Sequence, residues 1–354
     1  MKNKFVFYII SLYLFGLFFV CCSDNNDSND KNNVSLGTSK LLSNIYQNGI
    51  LEDYTNMIAL VEKYERILKE LKENPTVENL RIAIDEDKKV NIFWENIEIY
   101  RLQSLRLLYN DVQFFPLNTS SILNKIDTAK TIDSSFFDIL FDPSKGLLAN
   151  SYILNSLSVK DFINEPKYVD YLIENLSYIK GNIIELEDFW KSEGDLFVSA
   201  VGSGLDQSVN LLVNVYINLL ETIQLVKLEN PLSNKDVSLV ESPHNNSSIQ
   251  LIQSNLTALK TSFNGNFNNS VTLYGFDDYL KAIDREDLSI LVNSRIDEAI
   301  NISLSLNDFN DIITNNPMEV DIFIEKINEL LVLFRVDISS ALNLTVTFTD
   351  NDGD

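Results

Sequence analysis

The chain contains a single histidine, His244, and it lies in the loop Ser242-Pro243-His244-Asn245-Asn246. A zinc site built from paired imidazoles, or the H-E-x-x-H helix of a zinc peptidase, is therefore excluded. His244 itself is expected as a surface loop residue. The only two cysteines, Cys21 and Cys22, stand side by side near the start, so the body has neither a disulfide nor a thiolate metal site. Oxygen ligands are the remaining option. Glu98, together with Glu95 or Asp111, has the chemistry to hold a hard cation through oxygen ligands, although an exposed carboxylate on so acidic a chain is the plainer expectation. The terminal Asp350-Asn351-Asp352-Gly353-Asp354 mimics the opening of a calcium loop but lacks the later bidentate glutamate. Gly202-Ser203-Gly204 has no strand–turn–helix context and no histidine in register, and reads as a helix N-cap, not a nucleophile. Glycine-rich phosphate loops and basic aromatic patches are absent.

Charge narrows the partners. A net charge of −23 repels nucleic acid and anionic headgroups, and favours cations, basic peptides or simple solubility. The first 22 residues carry Lys2 and Lys4, then an apolar run from Phe5 to Val20, then Cys21-Cys22-Ser23-Asp24. That run is short for a spanning helix, which needs about 20 apolar residues, and it has the form of a signal peptide. A cysteine closing it fits lipoprotein processing, with Cys22 as the lipidated residue and Cys21 as the alternative. Residues 23–39 are polar and rich in Asn and Asp, and are expected to be a disordered tether.

The elements that must position any site are helices. Tyr54, Met57, Ile58, Val61, Leu68 and Leu71 form an apolar stripe ended by Asn74-Pro75. The spacing predicts a second helix from Thr76 to about Leu108, a long helix after Pro166, and a regular one opened by Gly202-Ser203-Gly204 and stopped by Pro231. Further helices are predicted at 247–263, 286–304 and 317–334, with a short extended segment over 344–348. No strand–helix alternation occurs, so the fold class is all-α. Two packed helical bundles are expected, residues 40–235 and 236–354.

Several stretches together resemble the imelysin-like family of bacterial envelope proteins. They are Phe93-Trp94-Glu95-Asn96-Ile97-Glu98, Gln113-Phe114-Phe115-Pro116-Leu117, Gly146 to Leu154, and Gly202 to Ser208 followed by Lys227 and Pro231. Val240 to His244, Asn255 to Leu259, Gly275 to Leu280 and the acidic terminus complete the series in the expected order. The resemblance implies one imelysin-like domain of two bundles with a cleft between them. It also implies a nominal metallopeptidase with a G-x-H-x-x-E segment, in a family whose other members are called iron-regulated lipoproteins. On a helix that segment puts His and Glu one turn apart, able to share a metal. Here Gly146 is kept, but the His position is Leu148 and the Glu position is Ser151. Leucine coordinates nothing, and a serine hydroxyl is a poor ligand for zinc or iron.

No catalytic residue and no confident cofactor follow; iron or another divalent cation is the open option. The expected role is a binding or accessory lipoprotein of the cell envelope, tied to iron or haem uptake components. Its place would be the outer membrane, on the periplasmic or the outer face. A divergent metallopeptidase and a glycan- or peptide-binding surface lipoprotein are the alternatives.

Overall fold

The computed structural model describes residues 27–140, 142–267, 273–306 and 308–347, with side chains from Leu36 onward except Asp142. The signal segment, Cys21, Cys22 and the acidic end 350–354 lie outside the described residues.

The chain is helical, and no strand occurs among the described residues. Helix α1 (Asp27–Asn44) passes through a π turn (Ile45–Ile50) into α2 (Leu51–Glu73). There follow α3 (Val77–Ile97), α4 (Arg106–Val112), α5 (Thr119–Thr128), α6 (Ser134–Asp138), α7 (Leu147–Ser156), α8 (Val159–Asn164) and the long α9 (Lys167–Ser199). The second half comprises α10 (Ser208–Glu221), a π turn (Thr222–Glu229), α11 (Asn230–Asn234), α12 (Ser248–Asn264), α13 (Phe276–Ala282), α14 (Glu286–Ser303), α15 (Phe309–Asn315), α16 (Pro317–Val332), a π turn (Leu333–Ile338) and α17 (Ser339–Ala341).

Of the predicted stripe on α2, Tyr54, Met57, Val61, Leu68 and Leu71 are fully buried and Ile58 is half-buried, and Tyr64 joins this inner face. Each such side chain contributes about 1.5–3 kcal/mol, and with no cysteine after Cys22 this packing must supply the stability without disulfides. α2 ends at Asn74, and Thr76 caps α3 by accepting from the Asn79 amide at 3.1 Å. α2 packs along α9 on one side and α3 on the other; the remaining faces of α3 meet α7 and α12. α3 is thus shared between the two halves. In the second half α14 packs on α12, α13 and α16.

Four expectations change. Residues 27–39, expected as a tether, form most of α1. Leu41, Leu42 and Ile45 anchor its far end in the core, and once nucleated a helix extends with one hydrogen bond per added residue. The second helix stops at Ile97, not near Leu108, because Glu98–Tyr100 tighten into a 3-10 turn before α4. The break folds Tyr109 back, so that its hydroxyl meets Tyr54 at 2.7 Å and its ring packs 5.1 Å from Trp94. Gly202-Ser203-Gly204 is not an N-cap: α10 begins at Ser208, and the Gly202 amide donates to Gln207 Oε1 at 3.0 Å. Pro231 does not stop the helix, which runs on to Asn234 before Lys235 turns left-handed (φ 49°). α10 packs both on α16 and on the Glu98–Tyr100 turn, and so lies along the seam between the two halves.

The extended end is present without a strand partner. Thr345 and Thr347 amides donate to Asn210 Oδ1 and Asn214 Oδ1, both at 2.8 Å, and Asn214 Nδ2 donates to Thr345 O at 2.9 Å. Two asparagines one helical turn apart replace a neighbouring strand.

Candidate functional site: a buried polar seam

Asp87, Asn91, Glu95 and Glu98 recur every three or four residues along α3, which puts them on one face. That face looks towards α7 and α12, and its polar groups organise into two networks.

The first surrounds Asp87, which is fully buried. It accepts from the Tyr64 hydroxyl at 3.0 Å and from the Ser151 hydroxyl in a very short contact. Asn91 Nδ2 donates to Ser151 Oγ at 3.2 Å and to the Asp87 carbonyl at 2.8 Å. Burial pushes the Asp87 carboxyl up to about 7, against the opposing pull of hydrogen bonds from Ser151, Tyr64 and Asn91. Behind it, Asn175 clamps Gly146 from both sides, accepting from its amide at 3.1 Å and donating to its carbonyl at 2.9 Å. Asn175 Nδ2 also donates to Asn150 Oδ1 at 2.8 Å. Gly146 has φ 89°, and a Cβ there would stand 2.8 Å from the Val112 carbonyl oxygen. Glycine is required by backbone geometry alone.

The second network lies at the other end of α3. The Lys227 ammonium reaches Glu95 Oε2 at 2.7 Å, Glu241 Oε2 at 2.8 Å and Asn255 Oδ1 at 3.1 Å. Asn255 Nδ2 donates back to Glu95 Oε2 at 2.8 Å, and Gln113 Nε2 donates to Glu95 Oε1 at 2.7 Å. Lys227 sits on the π turn after α10, where an extra residue per turn shifts the register and lets a basic side chain enter the interior. Burial opposes the charge on Lys227, but the Glu241 and Glu95 carboxylates outweigh it and hold the proton more tightly than on an ordinary lysine. Burial, reinforced by Glu95, pushes Glu241 up to about 8 against the pull of Lys227. Glu98 is also raised, by burial first, with Arg101 opposing at 3.1 Å.

The residues singled out in the sequence are distributed as follows. Glu98 and Glu95 share one electrostatic cluster, and Glu98 is largely buried, not an exposed surface acid. Asp111 is elsewhere, 2.7 Å from the Lys145 ammonium and accepting from Tyr178 at 2.6 Å. His244 is exposed and packs its ring against Tyr152 at 4.9 Å. Leu148 is buried and has no donor atom. Ser151 is committed to Asp87. Among the described residues no group of three or more His, Cys, Asp or Glu is placed to hold a metal. At Gly146–Ser151 the side chains do not fit one: Leu148 offers nothing, and the Ser151 oxygen already donates to a buried carboxyl. Asp87, Lys227, Glu241, Asn255, Gln113 and Asn175 carry the networks, yet nothing in the sequence assigns them a role. The signals available were a lone lysine soon after an apolar helix that holds no other cation, and the place of Gln113, Lys227, Glu241 and Asn255 within stretches that carry the family resemblance.

The imelysin family model matches residues 50–308. This chain belongs to the imelysin family. It is similar in structure to an imelysin-like protein from Psychrobacter arcticum, with a TM-score of 0.75 at 11% identity over 89% of this chain and 98% of that one. It is also similar to a protein from Parabacteroides distasonis named provisionally as an iron-regulated protein A precursor, with a TM-score of 0.72 at 16% identity over 86% and 95% of the two chains. At such identities these likenesses establish the imelysin fold. No curated protein matches the sequence.

Proposed function

We propose that this imelysin-family chain is a lipid-anchored envelope protein that binds or assists, not a hydrolase, and that its work belongs to iron or haem acquisition. The observation that carries the reading is the fate of two positions. Where the family resemblance calls for His and Glu there stand Leu148, without a donor, and Ser151, whose hydroxyl serves Asp87. A metallopeptidase needs a metal-bound water and a general base, and neither has a holder on α7. The iron link is supported by the name of the Parabacteroides structure, which describes that protein. The anchor is supported by the Lys2-to-Cys22 leader, with Cys22 lipidated and the body held at the outer membrane on its periplasmic or outer face.

The decisive measurement is elemental analysis of protein purified from native membranes, paired with incubation on unfolded substrates with and without added zinc. The reading expects no metal that depends on Gly146–Ser151 and no chelator-sensitive cleavage. Cleavage abolished by chelator restores the metallopeptidase reading. Growth of the host with and without iron tests the physiological link, and indifference of both transcript and uptake removes it. A Cys22→Ala variant that stays in the membrane fraction removes the anchor at that residue, with Cys21 next in line.

A further inference from the structure

The Lys227 network has the geometry of a coordination site with an ammonium at its centre. Three oxygens from three separate elements converge on Nζ at 2.7, 2.8 and 3.1 Å: Glu95 from α3, Glu241 from the loop before α12, and Asn255 from α12. Glu95 and Asn255 accept N–H bonds from the ammonium, and Glu241 Oε2 stands in ion-pair contact with it. Carboxylate and amide oxygens are also the ligands hard divalent cations prefer. Three acids, Glu95, Glu98 and Glu241, act on one another here beside Lys227 and the partly exposed Arg101, and burial together with that mutual repulsion raises Glu98 and Glu241. A second observation points the same way. Gln113 is more than nine-tenths buried and its amide head lies in the cage, Nε2 standing 2.7 Å from Glu95 and 3.4 Å from Glu241, yet its Oε1 has no donor. It is an uncommitted oxygen on a side chain that already reaches the cage.

We propose that Glu95, Glu241 and Asn255 form a cation-binding cage at the seam between the bundles, filled in this chain by the Lys227 ammonium and opened to a hard divalent cation when that side chain is removed. Lys227 is thus an internal substitute for a metal. The cage lies apart from Gly146–Ser151, so its fate is independent of whether the protein serves iron uptake.

The test uses Mn2+ as probe on the mature chain, read by the spin signal of bound ion and by thermal melting. Wild type and Lys227→Met, in which an apolar chain fills the place of the stem, should show no bound Mn2+. Lys227→Ala should bind a single Mn2+ and melt about 5 °C higher at a hundredfold excess over Kd. Lys227→Ala with Glu241→Gln should lose roughly tenfold or more of that affinity. The idea fails if folded Lys227→Ala binds Mn2+ no more tightly than the double variant. It fails equally if wild type already holds an ion that Glu241→Gln releases. Should Lys227→Ala fold only when Mn2+ is supplied, and the double variant not even then, the cage is supported. If Lys227→Ala stays unfolded in Mn2+, the ion does not replace the ammonium and the proposal is overturned.

Discussion

The two ends of α3 handle the same difficulty in opposite ways. At one end Asp87 is buried with hydroxyl and amide neighbours and no cation among its hydrogen-bond partners, and its proton affinity rises to near neutrality. At the other, the Glu95 carboxylate is answered by the Lys227 ammonium, while Glu241 on the same ammonium is pushed up to about 8 and keeps its proton near neutral pH. The contrast teaches that a buried acid is made tolerable either by keeping its proton or by enclosing a counter-ion. Which solution operates decides how each end responds to pH and to mutation.

Removing the counter-ion should do the most damage. Lys227→Ala leaves the buried Glu95 carboxylate without its ammonium and Glu241 without its partner, and in metal-free buffer it should cost roughly 3–5 kcal/mol in urea unfolding. A loss below about 1 kcal/mol would show that the pair is screened and the contrast unreal.

The pH dependence comes next. Asp87 goes from an ordinary 3.8 to about 7 on folding, so the folded state holds its proton more tightly than the unfolded state. Its contribution is complete below about pH 4 and is lost as pH rises through about 7. Asp53, also raised to about 7 by burial, and Glu241, at about 8, act with the same sign. Stability should therefore decline from mildly acid to neutral pH. Asp87→Asn should flatten that decline by up to about 4 kcal/mol between pH 4 and 7. An unchanged slope would mean that Asp87 is ionised in the fold.

Gly146→Ala should cost about 2–3 kcal/mol, through its left-handed φ and the clash with the Val112 carbonyl, without altering the pH slope. The smallest effect belongs to Ser151→Ala. Loss of one hydrogen bond to Asp87 should cost about 1–2 kcal/mol and move the pH midpoint upward. A downward shift would show that Ser151 does not favour the ionised form.

Most of the helices were legible because their apolar residues keep a helical period: Tyr54 to Leu71, and the helix after Pro166, are where the spacing puts them. The misplacements have local causes. Residues 27–39 have no apolar stripe of their own and are helical through an anchored neighbour. Ile97 ends α3 because Tyr109 has a better place against Tyr54 and Trp94 than a continuous helix offers. The site was legible in halves. Gly146, Leu148 and Ser151 stand out once the family pattern is recognised, and the grouping of Glu95 with Glu98 follows from their spacing. Ser151's partner Asp87 lies 64 residues away, and the lysine that meets Glu95 lies 132 residues away. No local pattern links them.

The sequence by itself determined that this is an all-α chain without cysteine staples downstream of Cys22, and that two side chains on α7 are unsuited to hold a metal. Side-chain chemistry and helical period are local properties, written in the order of residues. The tertiary structure decided that Asp87 keeps its proton and that Lys227 closes a cage of oxygens. Proton affinity and ion pairing depend on burial and on neighbours brought together by packing, and helices far apart in sequence set both.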